Sequence, residues 1–155
     1  MVLKLPAGQA KISIMKTIII SLITTLITLS SFIQQPDPWK KEQIMSTKDL
    51  AAKIQSNSKD LPVIINVGPM ENIKTAIKVG NGDSDEGIKK LTTTVSGMKK
   101  TSKMVIYCGC CSYANCPNIR PAFKKLQELG FKNVKVLDIP EGIKPDWVAK
   151  GYPVE

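Results

Sequence analysis

From residue 44 onward the apolar positions follow two kinds of pattern. Three short runs, residues 62–67, 104–107 and 134–137, are almost continuously apolar, as strands buried on both faces are. Between them, apolar residues recur every three or four positions, the spacing of one helix face. Ser46-Thr47-Lys48-Asp49 forms a capping box before a short helix with Leu50, Ala51 and Ile54 on one side. Residues 84–98 predict a second helix on Ile88, Leu91, Val95 and Met98. A third is expected after Asn118, its cap, with Ile119, Ala122, Phe123, Leu126 and Leu129 facing inward. Pro121 sits in that helix's first turn, where no backbone donor is needed, and Gly130 closes it at the C′ position. Residues 73–79 read as a weak strand or turn, and Gly80-Asn81-Gly82-Asp83 is a strong break. Alternating helices and buried strands predict an α/β domain over 44–155, with a mostly parallel central sheet and helices on both faces.

The first 33 residues are different. Lys16 precedes residues 18–29, twelve positions made only of Ile, Leu, Thr and Ser, and Ser30-Ser31 follow. A lysine, a short apolar run and small residues are the parts of a secretory signal peptide, with Met15 an alternative start. Leu29 is a poor cleavage residue, so an uncleaved anchor reaching Ile33 is the alternative. Residues 34–43, polar and proline-bearing, read as a linker or arm. Export predicts a periplasmic or secreted protein, or one anchored at its N-terminus and facing outward.

Charge changes this picture little. The chain of 155 residues carries a formal charge of +9. Lys4, Lys11 and Lys16 lie in the acid-free first 33 residues, leaving 19 basic against 13 acidic residues, or +6. Those lysines alternate with acids along helix faces, as at Lys124, Lys125 and Glu128, and aromatic residues are only 5% of the chain. That is a solvated surface, and no nucleic-acid partner is expected. No membrane contact is expected beyond the N-terminal segment.

Composition matters more for chemistry. The chain has no histidine, which excludes a Ser-His-Asp triad, a Cys-His dyad and an HExxH zinc site. Arg120 is the one arginine. All four cysteines, Cys108, Cys110, Cys111 and Cys116, fall within nine residues. Cys108 directly follows the strand 104–107, at the strand end where open α/β sheets bind ligands. Loop amides and the dipole of the helix after Asn118 favour an anion there and would lower the thiol's pKa. Cys108 is therefore the candidate nucleophile. Gly109, Ser112, Asn115 and Arg120 are candidate anion donors, Arg120 because a guanidinium grips an oxyanion through two hydrogen bonds. Trp39 and Trp147 read as packing anchors.

Three readings of the cysteine cluster stay open. The first is a reactive Cys108 with Cys110, Cys111 and Cys116 as auxiliary or resolving thiols. The second is a loop closed by structural disulfides, without a Cys110–Cys111 pair, which would be strained. The third is a metal held by Cys108, Cys110, Cys111 and Cys116, although their spacing lacks the paired Cys-x-x-Cys knuckles of zinc sites.

Together these pieces resemble the rhodanese-like domain family. The resemblance rests on Val105-Ile106-Tyr107-Cys108, on Leu126 through Gly130-Phe131, on residues 134–137, on Trp147 and on the ending Gly151-Tyr152-Pro153-Val154-Glu155. Upstream, residues 63–67 resemble the family's early strand and residues 72–77 its following His-Ile-x-Gly-Ala segment. The loop CGCCSYANCPNIRPA is similar to a cysteine-rich subgroup of exported bacterial members. Three features depart from the family pattern. Asn66-Val67-Gly68 replaces its Asp-Val-Arg, residues 137–142 lack its paired glycines, and the cysteine loop is longer. The resemblance implies a single rhodanese-like domain and sulfur transfer. Cys108 would take a sulfane sulfur from a small donor, form a persulfide and pass it to a thiol acceptor, with no cofactor. The alternative is a non-catalytic binding module whose loop is disulfide-locked or holds a metal.

Overall fold

The computed structural model describes residues 39–155. The expected signal or anchor, residues 1–33, and the first part of the expected linker, residues 34–38, lie outside the described residues. Five strands form one sheet: β1 (Ile44–Met45), β2 (Val63–Asn66), β3 (Ile77–Lys78), β4 (Lys103–Tyr107) and β5 (Asn133–Leu137). Their spatial order is β1-β5-β4-β2-β3, and every pairing is parallel. The central strand is β4, in register with β2 (Ile65 opposite Ile106) and with β5 (Ile106 opposite Val136).

Among the described residues three helices connect strands, α1 (Thr47–Gln55), α2 (Asp85–Val95) and α3 (Ile119–Glu128), and the short α4 (Ile143–Asp146) follows β5. Local chemistry starts and stops them. The Ser46 hydroxyl accepts the Asp49 N–H at 3.0 Å, and the Ser84 hydroxyl accepts the Gly87 N–H at 3.1 Å. At the end of α3, Gly130 has φ +88, its N–H reaches the Gln127 carbonyl, and the Phe131 N–H reaches that of Leu126. This paired closure satisfies the last carbonyls and requires the left-handed glycine.

Alternation along the strands divides the core in two. One face packs Ile65, Val67, Met104, Ile106, Val134 and Val136 against α2 and α3. The other packs Ile64, Val105, Tyr107 and Leu137 against α1 and α4, with Trp147 fully buried. The expected runs therefore became the three inner strands. One strand was not expected: β1 falls between the expected linker and helix. The segment 73–79, read as a weak strand or turn, supplies β3. The linker reading also ends sooner than residue 43. Trp39 is buried against Phe123, with ring centroids 5.0 Å apart, and Lys41–Gln43 is a 3-10 turn leading into β1.

Among the described residues, no helix is long and apolar enough to cross a membrane.

Candidate functional site

β4 runs out at Tyr107, and the chain passes straight from the sheet into Cys108. Pleating sends these two neighbours to opposite faces. Tyr107 joins the α1/α4 side, where its hydroxyl accepts the Ile73 N–H at 2.8 Å and donates to the Glu71 carbonyl at 3.2 Å. Cys108 joins the α2/α3 side and has no exposed surface.

Close packing leaves Cys108 room only because Gly68 lies beside it. A Cβ on Gly68 would collide with the Cys108 Sγ and would stand 2.5 Å from the Cys108 carbonyl oxygen. This explains one departure in the motif around β2, since no arginine could replace Gly68 without moving the thiol. Asn66, fully buried, organises the same turn. Its side-chain Oδ1 accepts the Gly68 N–H at 2.9 Å, and its Nδ2 donates to the Met70 carbonyl at 3.1 Å.

Gly109 continues the turn at φ +85, where a Cβ would stand 2.9 Å from the Ile143 Cβ. Its carbonyl accepts the Ile143 N–H at 2.9 Å, which ties the loop to α4. Gly109 was expected as an anion donor; its observed part is in packing.

The thiols then gather. Cys108 Sγ lies 3.2 Å from Cys110 Sγ, which lies 3.4 Å from Cys111 Sγ. Cys116 is buried beside α3, and the Sγ atoms of Cys108, Cys110 and Cys116 all lie within 4.8 Å of one another. All four cysteines are free thiols, so the disulfide-locked loop is not the observed state. The four-cysteine metal reading also narrows, because Cys111 falls outside the mutually close group.

Beyond its fellow cysteines, Cys108 is hydrogen-bonded by a side chain expected in another role. Asn118, expected to cap α3, has helical backbone angles and makes no cap hydrogen bond. Its Nδ2 instead donates to Cys108 Sγ at 3.3 Å, and its Oδ1 accepts the Asp83 N–H at 3.3 Å. An amide at a helix start was the available signal; its partner ten residues upstream follows no local spacing.

The remaining candidates shape the loop. Arg120 donates from Nη2 to the Ala114 carbonyl at 2.9 Å, so its guanidinium braces the loop. Asn115 closes a turn by donating its N–H to the Ser112 carbonyl at 3.2 Å. Trp39 clamps the loop from outside, its indole N–H on the Tyr113 carbonyl at 3.3 Å.

Electrostatics run against the expected lowering of the Cys108 pKa. Its thiol is pushed up, first by the hydrogen bond with the Cys116 side chain and then by burial, while the Cys110 backbone amide pulls the other way. Cys110 and Cys111 are also raised, each by burial first and by the neighbouring thiol second. At Cys108 the neighbouring thiol and burial together outweigh the amide. Cys108, Cys110 and Cys111 are therefore held toward the thiol form, and nucleophilic attack at any of them must begin from a small thiolate fraction.

A cavity of about 840 Å³ lies at the opposite end of the sheet, where Lys103 and Asn133 begin β4 and β5. It contains none of the cysteines.

No protein-family profile matches the sequence, and no curated protein sequence matches it either. Solved structures do match. The rhodanese-like domain of an Anabaena protein, determined in solution by NMR, is 18% identical with a TM-score of 0.52, covering 74% of this chain and 79% of that one. The Escherichia coli 3-mercaptopyruvate sulfotransferase SseA is 18% identical with a TM-score of 0.45, covering 64% of this chain and 41% of that one. Neither likeness speaks to the cysteine-rich subgroup. The parallel sheet in the order β1-β5-β4-β2-β3, with helices on both faces, gives this chain the fold of a rhodanese-like domain.

Proposed function

We propose that the protein is a sulfurtransferase-type protein that holds a sulfane sulfur as a persulfide on Cys108. The observation that carries this reading is the position of Cys108: it ends the central strand of a rhodanese-like fold, with its Sγ 3.2 Å from Cys110 Sγ and 3.3 Å from the Asn118 amide.

The burial of Cys108 and the exposure of Cys110 suggest a route. The Cys110 thiolate attacks the outer sulfur of a donor such as thiosulfate. The new S–S bond forms as the donor's S–S bond breaks, and sulfite departs with the electron pair. The Cys108 thiolate then attacks the outer sulfur of the Cys110 persulfide, takes it, and leaves Cys110 as thiolate. Asn118 and the Cys110 backbone amide donate to the charge that this leaves on the buried sulfur. Delivery reverses the exchange, to Cys110 and then to a thiol acceptor. No redox partner is needed, because the sulfane sulfur keeps its oxidation state throughout.

Intact mass measures this directly. Reduced wild type incubated with thiosulfate or polysulfide gains the mass of one sulfur atom that dithiothreitol removes. Cys108→Ser retains none after desalting. Cys110→Ser still loads, but about tenfold more slowly or worse, since attack must then occur at the buried thiol. Equal retention by Cys108→Ser and wild type contradicts the reading.

The same reading places the protein outside the cytoplasm, in the periplasm or secreted. This rests on the lysine, apolar run and serines at residues 16–31. Fractionation of cells producing the full chain checks it; a wholly cytoplasmic protein contradicts it.

A further inference from the structure

We propose that Cys108, Cys110 and Cys116 form a three-thiolate binding site for a soft monovalent metal ion of the Cu(I) class. This goes beyond the sulfur-transfer reading and does not rest on it. The two share Cys108, so a chain holding the ion cannot hold a persulfide there.

Geometry carries the inference. The three Sγ atoms are all within 4.8 Å of one another. An ion bound at the usual metal–thiolate distance of about 2.3 Å holds three sulfurs roughly 4 Å apart, so the cluster closes on it with side-chain adjustment alone. Burial divides the ligands usefully. Cys108 at the end of β4 and Cys116 beside the start of α3 are both buried, which places two ligands at the margins of regular elements. Cys110 is exposed on the loop between them and offers the ion a first point of contact from solvent.

The donor set selects the ion. Three sulfurs and no carboxylate make up the cluster, and the chain has no histidine to add. Hard cations such as Mg²⁺ and Ca²⁺ require oxygen ligands and gain nothing here. Zinc in closed protein sites takes four ligands, and Cys111, the fourth cysteine, lies outside the mutually close group. Thiolates favour soft Cu(I), and three of them suffice for it.

Binding is proton exchange without electron transfer. Three S–H bonds break, three metal–sulfur bonds form, and three protons pass to solvent, leaving the filled site with a net charge of two minus. Asn118 Nδ2 already donates to Cys108 Sγ at 3.3 Å and can keep donating to the bound thiolate. Since protons are released, affinity rises with pH.

The test uses the full, reduced chain under anaerobic conditions. Cu(I) is supplied as its acetonitrile complex in competition with bicinchoninate. The chain is expected to remove one Cu(I) equivalent from the chelator, and X-ray absorption of that complex to show three sulfur neighbours and no nitrogen or oxygen. Cys108→Ser, Cys110→Ser and Cys116→Ser should each weaken binding by more than about tenfold, while Cys111→Ser keeps wild-type affinity. The sulfur count on wild type does not depend on whether a buried variant folds. Retention of copper by the chelator, a count of two or four sulfurs, or a Cys111→Ser loss equal to that of Cys116→Ser would overturn the site. So would Zn²⁺ that binds at one equivalent and resists displacement by Cu(I).

Discussion

Tyr107 and Cys108 are adjacent in the chain, equally buried, and opposite in what surrounds them. The Tyr107 hydroxyl is held by backbone on both sides, accepting from Ile73 and donating to Glu71, groups that cannot change partners without unfolding a turn. The Cys108 thiol meets one backbone amide, that of Cys110, and is otherwise held by side chains, the Asn118 amide and the Cys110 and Cys116 thiols, which can rearrange or react. The α1/α4 face of the sheet is thus built for rigidity, and the α2/α3 face ends in a group able to exchange bonds. The comparison teaches that burial does not distinguish a structural polar group from a reactive one; the mobility of its partners does.

The contrast breaks most visibly at Trp147, the large buried anchor of the rigid face. Its ring meets Tyr152 at 5.1 Å between centroids, and its indole N–H donates to the Pro153 carbonyl at 3.0 Å. Trp147→Ala should cost about 3–5 kcal/mol in urea unfolding. The protein that remains folded should still carry four titratable thiols.

Tyr107→Phe should cost about 1–3 kcal/mol, because the buried Ile73 N–H loses its acceptor. Sulfur loading should stay at the wild-type rate in this variant. A slowed rate with unchanged stability would contradict the division between the faces.

The smallest effect concerns pH. Cys108 keeps its proton more tightly when folded than when unfolded. That contribution is fully present below the unfolded thiol pKa of about 8.5 and is lost as pH rises above it. Thermal stability should therefore decline from about pH 8.5 upward, and Cys108→Ser should flatten the decline. A Cys108→Ser slope equal to wild type would assign the effect to other groups, such as Tyr107, whose hydroxyl is also raised by burial.

Much of this architecture was legible along the chain, because the inner strands β2, β4 and β5 bury most of their residues and leave short, largely apolar runs. The helix starts at Ser46 and Ser84 were legible from capping chemistry. The edge strand β1 was not, and β3 showed only as a weak strand or turn, since two residues carry no period and their pairing is set by neighbours in the sheet. Trp39 read as a packing anchor, but the partner it packs on, Phe123, is far along the chain and was not legible. At the site, the place of Cys108 followed from the strand end. Which thiols converge, and the turn of Asn118 toward sulfur, depend on the path of an aperiodic loop. The direction of the Cys108 pKa was misread for a related reason. Helix dipole and amides can be anticipated from sequence, but the crowding of Cys116 against Cys108 appears only in three dimensions.

The central claim is that the buried thiol holds the sulfur. Peptide mapping after brief polysulfide loading, with persulfides and thiols trapped by alkylation, tests it most directly. The account predicts the extra sulfur on Cys108 in wild type and none retained at any cysteine in Cys108→Ser. Extra sulfur confined to Cys110 or Cys111 in wild type, with Cys108 recovered only as thiol, would contradict it.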